Sequence, residues 1–128
     1  MRVLLDTHAF LWWLDGDRRL ARKPRSLIGN KVNTVLVSAV SAWEITTKAR
    51  LGKLPRALDV AADVPGLVRS QGFAGLDVTL EHGQRAGALG GVHRDPFDRM
   101  LVAQAQGENL PIISNDSVFD AYGVRRIW

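Results

Sequence analysis

The 128-residue chain contains no cysteine, one tyrosine and only three glutamates. Without cysteine, disulfides and thiolate chemistry are excluded, and the expected location is the cytoplasm. Long apolar runs are missing as well. The longest stretch free of Asp, Glu, Lys and Arg is 12 residues, Val32 to Trp43, against the ~20 that span a membrane. No apolar segment ending in a small-residue cleavage site follows Arg2, so neither a signal peptide nor membrane insertion is expected. What remains is ordinary globular composition, 46% hydrophobic and 23% charged, with length for one core and hence a single domain over residues 1–128. Lys and Arg number 17 against 13 Asp and Glu, a basic balance that points to a polyanionic partner. Ten of the 13 acids are aspartates. Helix interiors disfavour aspartate, so most of these must stand at caps, turns or sites.

Strand and helix patterns alternate along the chain. Met1–Leu5, Thr34–Val37, Phe73–Val78 and Leu110–Ser114 read as short strands. Between them lie a helix over Ala9–Leu14, a short polar helix within Asp15–Lys31, and a helix from Ser38 or Ser41 to Leu51, with Gly52 just past its end. Ala57–Ser70 has helical spacing with a break expected at Pro65-Gly66. Leu80–Gly91 is a glycine-rich helix or loop whose glycines match no phosphate-binding pattern. Asp95-Pro96 opens a helix running to Gly107, and a short helix is expected near Val118–Ala121. This alternation predicts an α/β fold, a parallel sheet covered by helices on both faces.

In such sheets ligands bind beyond the carboxyl ends of the strands. Asp6 follows the first strand and Asp116 the fourth, while Glu44 and Asp98 are expected in the first turns of helices facing that same edge. Each has an ordinary structural alternative: Asp6 and Asp95 as helix caps, Ser41 with Glu44 as a capping box, Asp98 as a dipole-stabilising residue, Asp116 in a turn. Converging, the four carboxylates would repel one another and persist only with protons or cations. An all-oxygen donor set favours Mg²⁺ or Mn²⁺, one ion or two, which can drive in-line displacement at phosphorus.

The segments LLDTHAFLWWL (4–14), SAVSAWEITTKARLGKL (38–54), HRDPFDRMLVAQA (93–105) and SNDSVFDAYGV (114–124) together resemble the PIN-domain ribonucleases, and most of all the VapC-type toxins of bacterial toxin–antitoxin pairs. The resemblance runs from residue 3 to 124. It implies a three-layer α/β/α fold and an acidic Mg²⁺ or Mn²⁺ site in which Asp6, Asp98 and Asp116 hold metal and Glu44 ligates it or orients the attacking water. It further implies RNA as substrate, a small cognate antitoxin and a homodimer. By the same resemblance Ser114 hydrogen-bonds a site carboxylate, and Asp95 supports the site from the start of its helix.

Other residues are candidates for gripping RNA: Arg18, Arg19 and Arg22 in the basic cluster that also holds Lys23 and Arg25, and His93-Arg94 beside the acids. Trp12 and Trp13 point ~100° apart on a helix, so one can be core while the other faces a partner. Two rival functions stand beside the nuclease. One is a phosphate-monoester hydrolase or phospho-acceptor domain with Asp6 as nucleophile, and the other is a non-catalytic RNA-binding module whose acids are all caps.

Overall fold

Three consecutive residues of the first strand send their side chains alternately to opposite faces, as the period of two requires. Val3 and Leu5 join Phe10, Val35, Val37 and Ile45 in one buried cluster, while Leu4 joins Leu36, Leu101, Ile112 and Phe119 in another. The sheet therefore separates two cores. The computed structural model describes residues 1–91 and 93–128.

Five strands, β1 (Arg2–Leu5), β2 (Thr34–Ser38), β3 (Ala74–Leu76), β4 (Ile112–Ile113) and β5 (Arg126–Ile127), form one sheet in the order β3-β2-β1-β4-β5. Every pairing is parallel. One face is covered by α1 (Thr7–Asp15), α2 (Arg22–Gly29) and α5 (Val64–Ser70), the other by α7 (Pro96–Gly107) and the 3-10 turns at Ser117–Tyr122. The helix α3 (Ala39–Arg50) contributes to both clusters through Val40 and Ile45. Short α4 (Leu58–Ala62) follows it, and α6 (Leu80–Ala88) packs along α7. This is the expected three-layer α/β/α arrangement around a central parallel sheet.

Several elements differ from the sequence-based expectation. The α3 helix starts at Ala39, because the Ser38 hydroxyl accepts from the Val40 amide. Ser41 and Glu44 therefore form no capping box, and Glu44 lies in the second turn rather than the first. The break in 57–70 falls at Asp63, which caps Gly66. Pro65 is accommodated in the first turn of α5, where a missing N–H leaves no helical bond unmade. The strands β3 and β4 shrink to three and two residues. The C-terminal run supplies a fifth strand that its two-residue length concealed.

Candidate active site

Register brings the acids together. Leu5 of β1 pairs with Val37 on one side and Ile113 on the other, so all three strands run out at the same edge. One residue further on, Asp6 accepts the Ala9 amide at 2.8 Å and caps α1. Beyond β4, the Ser114 hydroxyl accepts the Asp116 amide at 2.9 Å, and Asp116 in turn accepts from the Val118 amide at 3.0 Å. Asp95 caps α7 by accepting from the Phe97 and Asp98 amides, placing Asp98 in that helix's first turn as expected. Glu44 caps nothing. It enters from the second turn of α3 and is only 4% exposed.

Asp6, Glu44, Asp95, Asp98 and Asp116 line a single cavity of about 550 Å³. Four separated segments of chain thus contribute carboxylates to one space. Burial pushes the Asp6 carboxyl from 3.8 up to about 6, although hydrogen bonds from Ser114 and the Ala9 amide pull the other way. Asp98 also titrates above the usual carboxylate range, first through burial. A hydrogen bond with His93 opposes that rise, while the like charges of Asp95 and Glu44 add to it. Both shifts mark negative charge confined in a poorly solvated space.

The chain itself answers part of that charge. Lys48, one turn after Glu44, forms an ion pair with its Oε2 atom. The Thr7 hydroxyl donates to Glu44 Oε1 at 2.6 Å and lies 2.9 Å from the Ser41 hydroxyl. His93 Nε2 lies 2.9 Å from Asp98 Oδ2. Among the described residues, no three His, Asp or Glu side chains are drawn together into a ready-made metal-ligating cluster. The donor set is nonetheless wholly carboxylate at its core, and the buried Asp6 becomes an anion at neutral pH only against its surroundings. Hard oxygen donors crowded into a poorly solvated space suit Mg²⁺ or Mn²⁺.

The basic candidates separate. Arg19 lines the acidic cavity and is held by Asp17, to which it donates at 2.7 Å. Arg18 and Arg22 are exposed, and Arg25 turns inward to donate to the Asp17 and Leu20 carbonyls. Of the pair before Asp95, His93 is engaged with Asp98, while Arg94 is exposed. Sequence reasoning missed Thr7, Lys48 and Arg99. Lys48 had a signal, its i, i+4 spacing from Glu44. Arg99 had none: it donates to the carbonyls of Ala86, Leu89, Gly90 and His93, fastening the segment that brings His93 to Asp98.

Comparison with known proteins bears on the family and the fold. Residues 3–124 match the family model of the PIN domain. A curated relative, Ribonuclease VapC16 of Mycobacterium tuberculosis, is 41% identical over 58 residues, which is 45% of this chain and 41% of that protein's length. Among solved structures, VapBC2 from Rickettsia felis bound to a DNA fragment from its promoter aligns with a TM-score of 0.71 at 16% identity, covering 99% of this chain and 98% of the other. DNA-bound VapBC from Salmonella typhimurium gives 0.69 at 19% identity, covering 99% and 97%. A toxin–antitoxin complex from Klebsiella pneumoniae gives 0.60 at 16% identity, covering 98% and 96%. At these identities the structures speak for the fold.

Proposed function

The chain belongs to the PIN-domain family, and from that premise we propose that it is a metal-dependent endoribonuclease, the toxin of a toxin–antitoxin pair acting in the cytoplasm. The observation that carries the reading is the convergence of Asp6, Glu44, Asp98 and Asp116 on one cavity in an otherwise basic protein. The named function of the Mycobacterium relative supports ribonuclease activity here. The structural neighbours, a toxin–antitoxin complex among them, support a small antitoxin as partner, and the family resemblance supports a homodimer.

In this mechanism Asp6, Asp98 and Asp116 would hold the cation, with Asp95 supporting Asp98 from the helix start. When bound, Mg²⁺ or Mn²⁺, as one ion or two, supplies Lewis-acid stabilisation of the phosphoryl oxygens and eases deprotonation of the attacking water. Glu44 orients that water and receives its proton, its two oxygens kept in place by Thr7 and Lys48. Ser114 keeps Asp6 and the Asp116 backbone in register. In-line attack at phosphorus then leaves a 3′-hydroxyl and a 5′-phosphate.

The rival readings are less well supported. As a nucleophile Asp6 would want a second aspartate two residues on to serve its leaving group, and His8 stands there instead. A module whose acids are only caps leaves Glu44 unexplained, since it is buried and caps no helix. The deciding experiment assays labelled single-stranded RNA with Mg²⁺, Mn²⁺ or EDTA, using wild type and Asp98→Asn. Cleavage is expected with either metal, none with EDTA, and a loss of about 100-fold or more for Asp98→Asn, equivalent to about 3 kcal/mol of transition-state stabilisation. Cleavage that survives EDTA or the substitution would sink the metal-nuclease reading.

A further inference from the structure

We propose that Trp12, with His8 and Arg19 beside it, binds the nucleotide adjoining the scissile phosphate by stacking its indole on an unpaired base. The proposal rests on the nuclease reading and adds how the site engages its substrate. The two adjacent tryptophans of α1 diverge. Trp13 packs inward, its ring centroid 6.1 Å from that of Phe73 and its indole nitrogen donating to Gln71 at 3.0 Å. Trp12 instead lines the acidic cavity. It also lines a second, more apolar cavity of about 850 Å³, and His8 and Arg19 line both. These three side chains form the wall where the two spaces meet.

Their arrangement has the parts that single-stranded nucleic acid requires. Among the described residues lining the acidic cavity, Trp12 and His8 are the only aromatic side chains. The Trp12 ring is set edge-on against Trp128 at 5.9 Å, and the His8 ring lies 5.7 Å away. The Arg19 guanidinium lies over one face of the Trp12 ring, 4.9 Å from its centre, and pairs with Asp17 on a side chain that is 65% exposed. An indole that carries a cation over one face can take a base on the other, and Nη1 of the guanidinium, which Asp17 does not hold, can meet the neighbouring phosphate. The phosphodiester under attack lies among the carboxylates, so a flanking nucleotide that runs on toward the second cavity passes this wall. A base held in a duplex has no free face, so the site selects single strands, loops or bulges.

The test begins by mapping cuts made by the wild type with Mn²⁺ in a pool of random single-stranded RNA oligonucleotides. The best-cut sequence is then resynthesised with an abasic nucleotide on either side of the cut bond. One of the two abasic substrates is expected to lose about 10- to 100-fold in kcat/KM with the wild type. Trp12→Ala should lose the same factor on the intact substrate and little more on that abasic one, while Trp12→Phe restores most of the loss. Multiplying losses would overturn the proposal and leave the indole to a protein partner. If Trp12→Ala does not fold, the wild type decides alone: no effect of an abasic nucleotide on either side overturns the proposal. A wild type that cuts no RNA in the pool overturns the nuclease reading itself, a distinct outcome from cutting that ignores the base.

Discussion

Asp6 holds two positions at once, capping α1 and standing in the cavity with Asp98, and its protonation therefore couples the site to stability. Its folded value of about 6 lies above the ordinary 3.8. The folded state thus binds more protons than the unfolded one between those values, and stability falls as pH rises through that window. The full penalty, about 3 kcal/mol by linkage for a shift of this size, is present above pH 6. Asn caps a helix about as well as Asp. In EDTA, Asp6→Asn should therefore raise the urea midpoint at pH 7 and leave it nearly unchanged at pH 4. A variant less stable than wild type at both pH values would refute this account. Asp6, Asp98 and Asp116 were legible in the sequence because each follows a strand or opens a helix, where position fixes direction. Thr7 and Arg99 were not, because their roles depend on which distant segments meet them.

At the scale of elements, the turn between α4 and α5 shows how a local residue outweighs a sequence rule. A Cβ on Gly66 would come within 2.1 Å of the Asp63 carboxylate, the group that caps its amide. Gly66→Ala should turn that carboxylate away and cost about 1 kcal/mol in urea unfolding, the worth of a lost cap. In an Asp63→Ala background the same substitution should become neutral or stabilising, since alanine suits a helix better than glycine. Equal losses in both backgrounds would refute the clash. The expectation of a break at Pro65-Gly66 was misplaced for the same reason, as the cap two residues earlier starts the new helix. The start of α3 was open between two serines, and only the Val40 amide bond to Ser38 decides it. That choice moves Glu44 a turn deeper while leaving it in the cavity. Strand order and the two-residue β5 lay beyond reach, because pairing partners are set by the whole sheet.

For the whole molecule, charge separates into two regions. Setting Asp6, Glu44, Asp98 and Asp116 apart leaves 9 acids against 17 bases, so the body around the cavity is strongly basic. Counterion release from bound RNA should then make log kcat/KM fall linearly with log salt, by about 0.7 for each phosphate contacted on a single strand. A flat profile between 50 and 200 mM salt, over which the Debye length falls about twofold, would mean that the basic surface does not hold the substrate.

The caps at Asp6, Asp95 and Asp116 have a consequence for the order of assembly. Each carboxylate is already answered by backbone amides, and Glu44 and Asp98 by Lys48 and His93. The polypeptide thus needs no ion to complete its architecture, unlike small domains that stay unfolded until metal arrives. Stripped of divalent cations, it should still melt cooperatively with its helical signal intact. On the proposed function, a cell could then store the protein finished but idle, with ion supply and inhibitor release, not refolding, deciding when it acts.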